Sequence, residues 1–290
     1  MRLGVHLTRY SAPDGPSGIP SVLAALGRAA DEAGIAVLSV PDHLLQVPYV
    51  APVGDPMLEG YSTLTFLAAH SEHVELQLLD GSVTLRHPAV LARTVATLDV
   101  LSGGRARLGI GAGWYGREHR ALGLPFPPLR DRFGMLEEAL GLLRRVWSDD
   151  DAPWSGAHYA VAETTCAPRP LRRVPVMVGG VDERKALRIV ARYADACSIF
   201  AGGASGPEFV AGKLAALRDH CEREGTEYDA INRTILWTDP VDPGRPEQLL
   251  ASMADMAGVG VQEVVVVVAE RPVELVRALG ERVVPVLRGL

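Results

Sequence analysis

Eight short apolar runs, separated by longer amphipathic segments, recur from one end of the chain to the other. A run of strand length followed by a segment of helical period is one βα unit, and a string of such units builds a parallel sheet. The predicted strands are residues 2–7, 36–40, 74–79, 106–110, 175–178, 196–200, 231–237 and 263–268. Helices are predicted over residues 21–33, 63–70, 88–101, 131–147, 182–193, 207–224, 246–257 and 272–284, with Gly34 stopping the first and Pro88 opening the third. The last strand is almost entirely valine, and a strand apolar on both faces is one covered on both faces. Eight such units fit a closed (β/α)8 TIM barrel, an α/β fold, with an open doubly wound sheet as the alternative. Residues 148–173, rich in polar side chains and proline, interrupt the alternation and read as an insertion crossing the barrel. One barrel with such an insertion accommodates residues 1–290 as a single domain.

The charge balance narrows the partners. Lys and Arg number 29 against 35 Asp and Glu, a net charge of −6 with no basic run, which argues against nucleic acid or an anionic membrane surface. Cys166, Cys197 and Cys221 stand far apart with no CxxC pair, as expected of reduced thiols in the cytoplasm. No apolar stretch approaches the ~18 residues of a membrane span, and the N-terminus turns polar before a signal-peptide core can form. The expectation is a soluble, cytoplasmic enzyme for a small molecule, with no membrane or nucleic-acid partner. A metal site is not expected either: His70 and His73 sit at a helix end and read as solvent-facing.

Chemistry in such barrels gathers where the strands end. After the second strand stand Asp42 and His43, a carboxylate beside an imidazole that can orient a ligand or move a proton near neutral pH. An N-capping aspartate with a packing histidine is the plainer reading. His6, at the end of the first strand, is a weaker candidate. The fourth strand runs into Gly111, Ala112, Gly113 and Trp114, where missing side chains let a planar ligand lie against the backbone and Trp114 can wall it. A plain turn remains the alternative. The glycines and prolines that follow argue that no helix begins there, so a Rossmann phosphate site is not expected. The fifth strand ends in Val178, Gly179, Gly180 and Val181 just before a predicted helix, an arrangement suited to a phosphate, to which Arg184 can add charge. A structural αβ turn would look similar.

Four stretches carry a family resemblance: PDHLLQVP from Pro41, RHPAVLARTVATLDVLSGGRARLGIGAGW from Arg86, EHRALGLPFPPLRDRFGMLEEALGLLRRVW from Glu118, and PRPLRRVPVMVGG to RYADACSIF from Pro168. Over nearly its whole length the chain resembles the luciferase-like flavin and deazaflavin monooxygenases and reductases, most closely their coenzyme F420-dependent oxidoreductase branch. The resemblance implies a barrel with F420, or alternatively FMN, across its C-terminal mouth. It implies that Asp42 and His43 face the cofactor, His43 near the reactive ring. Gly111, Ala112, Gly113 and Trp114 would border the ring, His119 would lie near the tail, and Gly179, Gly180 and Val181 would hold the phosphate. Relatives carry Leu-Gly-Thr-x-Val-Thr-Gly in the third strand, with a bulge and a non-proline cis peptide that props the ring. Here the run is Leu76-Gln77-Leu78-Leu79-Asp80-Gly81-Ser82, which places that bond at Leu78-Leu79. Asp80 then sets a carboxylate near the ring and disfavours an anionic reduced cofactor unless it is protonated or paired.

The implied activity is hydride transfer between a deazaflavin and a small organic molecule, with His43 as the catalytic side chain and a homodimer as the assembly. The alternatives are an FMN-dependent monooxygenase fed by a separate reductase, and a barrel without cofactor in a structural or regulatory role. The pocket is expected to be walled by residues 46–61, 114–128 and 154–166, whose apolar content points to a hydrophobic substrate.

Overall fold

The computed structural model describes residues 1–180, 182 and 184–290. In chain order its elements are β1 (Arg2–Leu7), α1 (Ile19–Glu32), β2 (Val37–Val40), α2 (Gly60–Ala68), β3 (Glu75–Leu78), β4 (Gly81–Ser82), α3 (Pro88–Leu101), β5 (Ala106–Gly111), α4 (Gly116–Leu122), α5 (Leu129–Val146), β6 (Trp154–Ser155) and β7 (Ala160–Val161). They continue with β8 (Val176–Gly179), α6 (Ala186–Tyr193), β9 (Ala196–Ala201), α7 (Pro207–Glu224), β10 (Asn232–Trp237), α8 (Leu249–Gly258), β11 (Glu263–Val268), α9 (Pro272–Arg282) and α10 (Val284–Leu287). The main sheet runs β3-β2-β1-β11-β10-β9-β8-β5 with every pairing parallel, and β3 pairs back onto β5 to close the barrel. The short β4 prolongs the course of β3 beyond residues 79–80 and pairs with the end of β5.

The valine strand shows why the barrel closes. Val264, Val266 and Val268 point outward into the helix layer, while Val265 and Val267 belong to the smaller cluster inside, with Leu79, Met177, Ala196 and Leu236. Both faces are buried, so every position after Glu263 is valine. At the opposite end of the lumen, where the strands begin, apolar packing gives way to an ion pair. Arg107 of β5 meets Glu263 of β11 at 3.1 Å, and Thr234 and Arg2 complete the cluster around the fully buried carboxylate. This pair closes the floor of the barrel.

The predicted third, fourth and fifth strands are β3, β5 and β8, and the strand and helix order stands. Four local expectations fail. A helix does begin after β5: α4 starts at Gly116 and is stopped by Gly123 in the left-handed conformation, so the glycines bracket it rather than forbid it. The helix after β8 begins at Ala186 instead of residue 182, with Lys185 as its N-cap. The final helix breaks at Val283, because Pro285 lacks the N–H that would continue it. The insertion does not cross the barrel. Its hairpin of β6 and β7 lies on the outside against α5, where Glu138 accepts from the Trp154 indole and from the His158 and Tyr159 backbone N–H groups. Gly134 and Gly141 of α5 leave the room that His158 and Trp154 occupy. No helix among the described residues is long and apolar enough to cross a membrane.

Candidate active site

The strand ends open into a cavity of about 870 Å³, within the range of small-molecule sites. Its lining comes from the ends of β1, β2, β5, β8 and β9, the loops after β10 and β11, and the Leu79–Asp80 bend. None of residues 148–173 reaches it, and of residues 115–128 none does either, so those two expected walls are corrected. Tyr49, Val50 and Met57 supply the third, and Phe200, Leu236, Thr238 and residues 239–243 form a side that sequence reasoning missed.

His43 is held from behind. Its Nδ1 lies 3.0 Å from Oε1 of Glu118 on α4, whose other oxygen accepts from the Leu44 N–H at 2.8 Å. Burial works against ionising Glu118, yet the bonds from His43 and Leu44 hold its pKa below the usual range. An ionised carboxylate only accepts, so Nδ1 of His43 carries the proton and Nε2 is left for the cavity. The imidazole is fixed edge-on between Trp114 and Tyr115, each ring centroid 5.4 Å away. Trp114 is itself stacked on the exposed Tyr49. His6 also lines the cavity, with Nδ1 on the Ser39 hydroxyl; burial first, then His43, push its pKa down to about 3, so it stays neutral.

Asp42 reaches the cavity wall but is committed elsewhere. Both oxygens accept from Arg86, at 2.6 and 2.8 Å, and Oδ2 also accepts from the Ser82 N–H. Burial raises its pKa to about 6 against the pull of Arg86. Asp42 thus anchors the loop that presents His43. Arg86 bridges on to Glu59, the N-cap of α2, so three elements are tied through one guanidinium. Asp80 is different: burial lifts its carboxyl to about 7, and its Oδ1 is buried with no hydrogen-bond partner among the described residues.

The glycines divide by cause. A β-carbon at Gly113 would overlap the Ser82 hydroxyl, and its φ of +76° excludes side chains as well. One at Gly179 would overlap the Asp80 carboxyl. A β-carbon at Gly111 would meet only Gly179 O at 3.4 Å and the Asp80 β-carbon at 3.8 Å, ordinary contacts, so packing does not demand this glycine. The space it leaves belongs to the cavity, and a flat ring fits there. Gly180 and Ala186, the first residue of α6, also line the cavity, which points the positive end of that helix at it.

Several expected contacts are corrected. The cis peptide is Leu79–Asp80, one residue beyond the expected Leu78-Leu79. Leu78 and Val178 face outward into the helix-side core, and neither touches the cavity, because side chains alternate across a strand. His119 is fully buried behind the wall, with Nε2 on Thr84 and Nδ1 on the Tyr115 carbonyl, so it braces α4. Arg184 is not part of the lining, and Val181 lies outside the described residues. Leu79, Gly111, Ala112, Gly113, Trp114, Gly179 and Gly180 are brought together with Asp42 and His43 as expected.

A family model described as luciferase-like monooxygenase matches residues 1–263. This chain belongs to that family. An F420-dependent glucose-6-phosphate dehydrogenase of Kineococcus radiotolerans is 33% identical over 222 residues, 74% of this chain and 63% of that protein. Its counterpart from Nakamurella multipartita is 32% identical over 73% of this chain and 61% of its own length. The chain therefore spans less than two thirds of these relatives, at 63% and 61%. An F420-dependent secondary alcohol dehydrogenase, solved with an F420-acetone adduct, superposes with a TM-score of 0.84 over 99% of both chains at 15% identity. That likeness is one of fold, and it bears out the luciferase-like barrel read from the sequence.

Within the family barrel, Glu118 and Arg86 are the functional side chains that sequence reasoning passed over. Each opens a stretch that carries the resemblance, but neither was given a role. Glu118 was hidden because its helix was read as loop, and the partner of Arg86 lies 44 residues away.

Proposed function

We propose that this protein is an F420-dependent oxidoreductase that passes a hydride between the deazaflavin and a small organic molecule carrying no phosphate. The observation that carries this reading is the Gly111 slot, open to the cavity for no packing reason, beside the free Nε2 of His43. Gly111 and the Leu79–Asp80 bend would hold the two sides of the ring, and Gly180 with the N-terminus of α6 would meet the charged tail. When bound, F420 supplies or receives the hydride at its ring. His43 takes or returns the substrate proton at Nε2, and Glu118 keeps its other nitrogen protonated and its ring plane fixed.

The substrate class follows from the charges left over. Arg9 is paired with Asp55 and Glu270, and Arg271 with Glu274, so the arginines at the cavity are already neutralised. Asp239 and Asp242 add negative charge at the same rim. Among the described residues of the lining a sugar phosphate finds no cation without an acidic partner, whereas Met57, Phe200, Leu236 and Val267 offer apolar surface. Titration of the purified protein with F420 and with FMN, followed by ring fluorescence, tests the cofactor. Saturable F420 binding is expected, and binding of FMN alone moves the protein to the monooxygenase branch. Neutral alcohols or carbonyl compounds should then turn over while glucose 6-phosphate does not; efficient turnover of the sugar phosphate would refute the substrate assignment.

A further inference from the structure

Resting on the proposed deazaflavin site, we infer that Asp80 is a hydrogen-bond donor to the bound ring and makes the balance between its oxidised and reduced forms depend on pH. Asp80 stands at the bend between β3 and β4 and lines the cavity with Gly111 and Gly179. Its Oδ1 is buried with no partner among the described residues, so a proton carried there is not spent on a hydrogen bond within them. The missing side chain at Gly179 admits the carboxyl group to this position; a β-carbon there would overlap Oδ2.

Among the described residues no cation is paired with it, and burial is the cause of its shift. The charged and titratable groups around it are engaged elsewhere: Asp42 with Arg86, His43 with Glu118, and His6 with Ser39. The buried Cys197 thiol of β9, on the helix side of the sheet, is pushed up to about 11, chiefly by burial and least by Asp80. With desolvation unopposed, the Asp80 carboxyl rises to about 7. Below that pH the group is a neutral acid with a proton to give; above it, a carboxylate that repels electron density. Reduction places charge on the ring, so its acceptor atoms gain from the donor and lose from the carboxylate. The reduced form is therefore held more tightly on the acid side of pH 7.

The test is the affinity of the purified protein for oxidised and for reduced F420 from pH 5.5 to 8.5, read by ring absorbance and fluorescence. In the parent the preference for the reduced form should fall by about tenfold or more across this range, the scale of one charge-assisted hydrogen bond. Asp80→Asn keeps a donor of similar shape that does not titrate. Its preference should stay high and keep only the titration of the ring itself, which is common to both proteins. Asp80→Leu should show a low preference throughout. Superimposable pH profiles for the parent and Asp80→Asn overturn the role of Asp80 while leaving the cofactor assignment standing. Failure of every protein to bind either form overturns both. Infrared difference spectra of the unaltered protein give a second readout: at pH 6 a protonated carboxyl band should shift when the ring binds, and the absence of such a band also overturns the inference.

Discussion

His43 and Glu118 form the smallest unit with a function, and each explains the other. The carboxylate is buried at a cost that the imidazole and the Leu44 N–H offset, and the imidazole gains a fixed tautomer. His43→Ala should lower kcat by roughly 10²–10⁴ while F420 affinity changes by no more than a few-fold, and a variant turning over like the parent would rule out the proton role. Glu118→Gln should lower kcat at least tenfold through the same nitrogen, read in the same assay. Asp80 also leaves a signature in stability. The unfolded chain releases its proton near 4 and the folded chain near 7, so between these values the folded state holds the extra proton and rising pH costs stability. Urea unfolding at pH 5 and pH 7 should show a larger loss in the parent than in Asp80→Asn, which keeps only the smaller loss from Asp42, itself raised to about 6; an equal loss in both would exclude the Asp80 contribution. The sequence showed that a carboxylate stands here, but its protonation is a property of the folded surroundings and invisible in one dimension.

Between residues and barrel, what was legible depended on parity. Strand order and type follow from period and composition, so β1, β5 and β11 were found at or within a residue of their bounds. Side-chain direction flips with every residue, so assigning Leu78 and Val178 to the ring side turned them to the wrong face. Helix α4 was missed because glycine was read only as a breaker, although Gly123 is its C-cap. Local surroundings, not parity, separate two glycines at the end of β5. Gly111→Ala should weaken F420 binding about tenfold with little change in Tm, since nothing in the chain lies closer than 3.4 Å to the added carbon. Gly113→Ala should instead lower Tm, from its φ of +76° and the Ser82 overlap. Thermal scans and titrations of the two variants settle the contrast, and a destabilised Gly111→Ala would remove the case for a ligand-made slot.

At the scale of the whole molecule, eight repeats of one local pattern were enough to fix the architecture, because a parallel strand buried on both faces has few ways to be covered. The ionic floor was not legible. Arg107 and Glu263 look like polar strand edges until closure of the ring brings residues 156 apart in sequence to 3.1 Å. Glu263→Gln should cost about 3 kcal/mol by leaving the buried Arg107 with only the longer 3.7 Å contact to Glu75, measured by denaturant unfolding. A cost near zero would show the floor to be wet.

That floor also governs traffic. A tube sealed at one end behaves as a cup, and ligands that share its mouth must queue: whichever seats deeper arrives first and departs last.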